Sequence, residues 1–252
     1  MSRPPDPLAA VALLPGVFES VEAARGSVDA LLRDLRAPAL RQRVTEVTAE
    51  SVRLAAWASA ALDGRVGGAD EFVAPVEDLL GANALRLNAA LASLAETWEA
   101  APLQALARMH VLASSGLVGD DALGRPVGEE AAGRLEALGE VLATTSAAPA
   151  VVVAAVVHGE VLVTDAFGVG TGLVARAASR CVLVARGLDP RAASVPEVGH
   201  LELGPEPYAL ALEGYRSGTA DGVADWVSHC AQAVALGGRA GRRVVEQLTA
   251  PR

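Results

Sequence analysis

The sequence predicts an all-α fold, and three observations predict it. Hydrophobic residues make up 52% of the 252 positions but aromatics only 3%, so a core must be built from Ala, Leu and Val. Stretches rich in Ala, Leu, Arg and Glu carry apolar residues at helical spacing. Pro and Gly punctuate those stretches where helices would begin and end. With 20% charged residues the chain is too apolar to be disordered, and it is long enough to bury a sizeable core.

Taken in order, residues 17–36 form a first predicted helix, ended by Pro38. Residues 39–62 form a second, stopped at Asp63-Gly64, with Gly64 suited to the left-handed position after a last turn. Gly67-Gly68 reads as a loop, and residues 70–99 as one or two helices carrying Leu79, Leu80, Leu87, Leu91 and Leu94. Residues 102–116 begin with Pro102 in the first turn. The stretch from Gly119 to Gly128 is polar and turn-rich, an irregular flap or a short hairpin. A helix follows over 129–145. The valine run favours strand by propensity and fits a buried helix equally well; the helical expectation is a helix over 147–164, a loop from Asp165 to Gly172 and a buried helix over 172–186. Helices over 206–217 and 220–248 complete the chain, the last capped by Thr219 or Asp221.

The net charge of −9 and pI near 5.0 exclude a general nucleic-acid binder. All 21 cations are Arg, and Lys and Ile are absent, a compositional bias of a high-GC genome. Arg239, Arg242 and Arg243 fit a solvated last helical turn. Cys181 and Cys230, 49 residues apart in apolar surroundings, read as buried free thiols. His110, His200 and His229 are far apart in sequence without Cys or carboxylate at ligand spacing, so no metal site is expected. Trp57, Trp98 and Trp226 read as core. The start MSRPPDPLAA lacks the pattern of a signal peptide, and the longest apolar stretch, 147–157, is short of a membrane span. The expectation is a cytoplasmic protein with no membrane association.

Residues 151–186 carry the chemistry. A valine run, then Gly168, Gly170 and Gly172, then a helix is the order that sets a phosphate on helix N-terminal amides. The spacing is G-x-G-x-G rather than a dinucleotide fingerprint, and no strand–helix alternation precedes it. On this feature alone, a nucleotide-dependent oxidoreductase and a plain helix–helix turn both stay open.

More residues are accounted for by another reading. From Asp165 to Arg176 the chain resembles the signature of Fic (Fido-domain) proteins, His-Pro-Phe-x-Asp/Glu-Gly-Asn-Gly-Arg-x-x-Arg. Phe167, Gly170, Gly172 and Arg176 match it, and His158 stands seven residues before Asp165, where the family has a second His. Residues 105–110 with Gly116 resemble the helix before the family's target-docking flap, here near Leu123 to Gly128 with Arg125. Gly187, Leu188, Pro196, Tyr208, Leu212 and Tyr215 resemble its closing helices. Ser59 to Gly64 resembles its Ser/Thr-x-x-x-Glu-Gly inhibitory helix, with Asp63 for Glu. The resemblance implies a Fic-like helical domain over 101–235, an N-terminal helical extension over 1–100 and a C-terminal end over 236–252.

It also implies transfer of AMP or a related group to protein hydroxyls, and here the departures matter. Asp165 replaces the His that serves as base, and a carboxylate is ordinarily a weaker base than imidazole. Val169 stands at the metal-ligand position and cannot hold Mg²⁺, which takes oxygen ligands. Thr171 replaces an Asn that contacts phosphates, and Leu173 replaces one Arg. The expectation is a pseudoenzyme with a protein partner, which keeps a site for ATP or another nucleotide at Phe167, Gly168, Gly170, Thr171, Gly172 and Arg176. Binding there should be weak and depend little on Mg²⁺. Ser59, Asp63 and Gly64 would form the inhibitory segment, with Asp63 reaching Arg176. The alternatives are an active nucleotidyl- or phosphotransferase using Asp165 and a purely structural interaction protein. Oligomeric state is not legible.

Overall fold

In the computed structural model, which describes residues 6–40, 42–64 and 78–250, the valine run is helix. The helices are α1 (Pro7–Val11), α2 (Val17–Asp34), α3 (Val44–Leu62), α4 (Leu79–Ala89), α5 (Leu91–Ala100), α6 (Pro102–Ser114), α7 (Gly128–Ala143), α8 (Ala150–Val163), α9 (Thr171–Ala185), α10 (Pro196–Leu203), α11 (Pro205–Arg216) and α12 (Ala220–Thr249). No strand occurs among the described residues, which hold only an isolated bridge between Ser115 and Val118. The all-α prediction stands. No described helix is long and apolar enough to cross a membrane.

Burial explains why β-branched residues accept helix at α8. Val151, Val152, Val153, Ala155, Val157 and Val161 point in several directions around the axis and all are buried. A helix apolar all round lies inside a protein, and there packing overrides strand propensity. It packs along α9, and this pair forms the centre. Helices α5 and α6 cover α9, while α11 and α12 cover α8. One large apolar cluster takes in Leu8 of α1 and Ala235 of α12, so the first hundred residues share their core with those that follow.

The longest helix, α12, also packs against α2 and α10. It lets α2 approach closely through small residues. A Cβ at Gly238 would lie 2.6 Å from Ser27 Oγ, and one at Gly241 would lie 2.6 Å from a Leu31 methyl. Ser27 Oγ donates to the Ala235 carbonyl at 2.6 Å, and Arg242 Nε pairs with Asp34 at 2.7 Å. Arg243 pairs with Glu202 at 2.6 Å, so two of the three C-terminal arginines are engaged rather than simply solvated.

Several boundaries differ from expectation. The segment 39–62 enters its helix only at Val44, after a separate turn of 3₁₀ helix at Pro38–Leu40. The 70–99 pattern splits at Ala90 into α4 and α5, while residues 70–77 and the Gly67-Gly68 loop lie outside the described residues. Leu79 is 42% exposed rather than core. Trp98 and Trp226 are buried as expected, but Trp57 is only half-buried. Two short helices were not foreseen. Asp6 caps α1 by accepting from the Leu8 and Ala9 amides, and Pro196 opens α10. The flap stretch is a chain of turns without a hairpin. Thr219, not Asp221, caps α12, accepting from the Gly222 amide at 3.2 Å.

Candidate functional site

The loop between α8 and α9 is built by three residues in the left-handed region. Asp165 (φ +43°), Gly168 (φ +65°) and Gly170 (φ +84°) turn the chain back on itself within six positions. Gly170 is doubly constrained, since a Cβ there would run into Ser114 Oγ as well as being strained. Phe167 is buried and anchors the loop, stacking on the His110 ring at 4.7 Å. Thr171 Oγ1 accepts from the Phe167 amide at 3.1 Å. The Val127 amide donates to the Ala166 carbonyl at 2.9 Å, which ties the loop to the entry of α7.

His110 and Ser114, both on α6, hold the tip of the loop. Ser114 Oγ donates to the Val169 carbonyl at 2.8 Å, and His110 Nε2 lies 3.2 Å from the same oxygen. The Gly124 amide donates to His110 Nδ1 at 3.0 Å. These partners assign the tautomer: Nδ1 accepts, Nε2 carries the proton and donates to Val169. Burial moves the His110 pKa below its ordinary value, and the Val169 carbonyl opposes that shift only in part.

Arg176 lies one turn into α9 and is only 3% exposed. Its Nε donates to Ser59 Oγ at 2.7 Å, and its Nη2 donates to the Ser59 carbonyl at 2.9 Å and to Asp63 Oδ1 at 2.7 Å. Burial works against this charge, but the Asp63 carboxylate and the Tyr208 hydroxyl together outweigh it and move the Arg176 pKa above the ordinary value. The expected approach of Asp63 to Arg176 is therefore a direct ion pair with no bridging water required. Asp63 compensates for its missing methylene by sitting close. A Cβ at Gly172 would lie 2.9 Å from Asp63 Oδ2. The end of α3 thus presses a carboxylate against the first turn of α9, where the helix dipole favours an anion.

Around this pair the remaining signature positions offer little to a metal–nucleotide complex. Asp165 is exposed at the loop entrance, Val169 is 51% exposed, and Leu173 is 1% exposed in the apolar core. None of Val169, Leu173 or Ala166 carries a side-chain oxygen. A cavity of about 430 Å³ lies elsewhere, lined by Leu8, Leu138, Val156, Glu160, Tyr215 and Val223 among others. Its polar groups satisfy one another, Tyr215 donating to Glu160 at 2.8 Å and Arg134 to Glu160 at 2.9 Å.

Sequence spacing gave no reason to group the histidines, yet the fold brings three of them together. His158, from α8, is fully buried, with Nε2 2.8 Å from the Tyr208 hydroxyl and Nδ1 4.0 Å from Cys230 Sγ. His200 Nδ1 lies 3.2 Å from His229 Nε2. Burial drives the pKa values of His158 and His200 well below the ordinary value and that of His229 down to about 4. His158 is a satisfied core histidine, as expected, but its partners come from α11 and α12. The sequence also hid Arg180 and Glu197. Both are buried, 3.7 Å apart, and nothing in their local sequence marks them.

No protein-family model and no curated protein matches the chain. Among solved structures, it is similar to the crystal structure of a Fic family protein from Desulfovibrio desulfuricans G20. The TM-score is 0.72 at 19% identity, over 94% of this chain and 77% of that one. The fold is Fic-like.

Proposed function

We propose that this chain uses the Fic fold as a pseudoenzyme, a protein-contact module whose former nucleotide loop is held shut by its own α3. The observation that carries the proposal is the buried Arg176 held by three hydrogen bonds to Ser59 and Asp63, with the Asp63 carboxylate set against Gly172. In the family that the sequence resembles, the acidic residue of this helix pairs with the same Arg and blocks the nucleotide's terminal phosphate. Here the closure coincides with loss of base, metal ligand and one cation at Asp165, Val169 and Leu173. An inhibitory arm over an active site would be reversible. An arm over these residues has nothing left to inhibit, so the pair acts as a structural clasp between α3 and α9.

What remains for a ligand is backbone and one guanidinium, enough for weak anion binding at the N-terminus of α9. Without an oxygen ligand at 169, ATP binding gains little from Mg²⁺. The test is incubation of the purified chain and a cell extract with ATP labelled at the α-phosphate and, separately, at the γ-phosphate. The expected result is no transfer beyond that of the extract alone, with calorimetry giving weak ATP binding that is insensitive to Mg²⁺. Labelled product that disappears in Asp165→Ala would overturn the proposal in favour of an active transferase using that carboxylate. If no nucleotide changes the melting temperature even in Asp63→Ala, the anion site goes and a purely structural module remains. The oxidoreductase reading required a parallel sheet, and the described residues contain none.

A further inference from the structure

His158, His200 and Cys230 have no task in the proposed function. They come from α8, α10 and α12, they are 0%, 4% and 4% exposed, and each offers a ligand atom within 4.8 Å of the other two. We propose that these three residues form a three-coordinate site for a monovalent thiophilic metal ion, copper(I).

The donor set is one thiolate and two imidazoles, which suits copper and zinc and does not suit magnesium or calcium. Bonds of about 2.0–2.3 Å in a trigonal plane put ligand atoms roughly 3.5–3.8 Å apart. Cys230 Sγ and His158 Nδ1 are already at 4.0 Å, so closing the site needs side-chain adjustments of about 1 Å or less. Each imidazole has its second nitrogen engaged, the arrangement that orients metal-binding histidines. With Nδ1 as ligand, His158 donates from Nε2 to the Tyr208 hydroxyl at 2.8 Å. His200 Nδ1 is held by His229 at 3.2 Å, which leaves Nε2 for the ion.

Charge separates the two metals. Binding displaces the Cys230 proton to solvent as the sulfur–metal bond forms, so copper(I) on one thiolate leaves the site neutral. Zinc would leave one net positive charge buried in a region where the Arg176 charge already acts on His158 and His200. Zinc would also need a fourth ligand, and the nearest candidate, the Tyr208 hydroxyl, is engaged at 2.8 Å by His158 Nε2.

The test is anaerobic titration of the full chain with copper(I) against a chromogenic copper(I) chelator. The ion is added to the native protein and, because the ligands are buried, also during refolding. One equivalent per chain should be withdrawn from the chelator. Cys230→Ser and His200→Gln should each weaken binding by about 10–100-fold or more. Cys181→Ser, which changes the other buried thiol, should bind like the parent. Far-UV dichroism checks each fold, and His200→Gln carries the test if Cys230→Ser does not fold. The proposal falls if the chelator keeps all the copper, if both site variants bind like the parent, or if the chain takes zinc(II) in preference to copper(I).

Discussion

Arg176 and Arg180 stand one turn apart on α9, both almost fully buried, and they solve the same problem differently. Arg176 meets a carboxylate that retains 25% side-chain exposure, and the contact is a short hydrogen-bonded ion pair. Arg180 faces Glu197, which is 2% exposed, across 3.7 Å. Its Nη1 donates to Asn88 Oδ1 at 3.0 Å and its Nη2 to the Ala192 carbonyl at 2.7 Å. Arg180 Nε and both Glu197 oxygens have no hydrogen-bond partner in the structure. Burial alone does not make a strong pair. Arg176–Asp63 is held by direct hydrogen bonds at the edge of solvent. Arg180–Glu197 is held by mutual charge in the interior, where loss of either member strands the other.

The inner pair is the costlier one to disturb. Arg180→Met should cost about 3–5 kcal/mol in urea unfolding, because it leaves Glu197 as an uncompensated buried charge. Adding Glu197→Gln should restore most of that loss. A single mutant as stable as the parent would show that Glu197 is not held as a charged partner. At the outer pair, Asp63→Ala should cost only about 2 kcal/mol, since Ser59 still holds Arg176 through two hydrogen bonds. A loss at Asp63 equal to that at Arg180 would erase the distinction between edge and interior.

Smaller again is Thr171→Val, which removes the acceptor for the Phe167 amide and should lower stability by about 1 kcal/mol. Acidification gives the gentlest probe. Because His110 has a folded pKa below its unfolded value, the unfolded chain takes up the proton first. Its contribution to stability is intact above about pH 6.5 and is lost as pH falls below that. Protonation at Nδ1 would place a hydrogen against the Gly124 amide. Melting curves of His110→Gln between pH 7 and 5 should therefore fall less steeply than those of the parent, and identical slopes would exclude His110 as a contributor.

Much of the fold was legible because helix-forming composition, Pro and Gly breaks and apolar spacing agree along most of the chain. The valine run at α8 was legible as helix only through the Fic resemblance, since strand propensity argued the other way. The Asp63–Arg176 contact came from the same source, with both residues sitting at matched motif positions. The histidine cluster and Arg180–Glu197 were not legible. His158 and Cys230 are 72 positions apart, and only the packing of α8 against α12 joins them. Helix α10 was missed because eight residues opening on Pro-Glu-Val-Gly carry too little periodicity to stand out.

The seam between α2 and α12 also sets a clock on synthesis. Ser27 bonds to a carbonyl 208 residues further along, and Asp34 waits equally long for Arg242. At about 5–20 residues per second, α2 leaves the ribosome roughly 10–40 s before its partner is made. During that interval Val17, Val21, Val28 and Leu31, all buried in the finished protein, lack the surface that covers them. The close fit at Gly238 and Gly241 allows nothing bulkier to substitute for it. The nascent chain therefore carries an apolar helix whose burial depends on a helix translated 208 residues later, a long-range dependence that slows folding and makes interruption of synthesis before α12 hazardous.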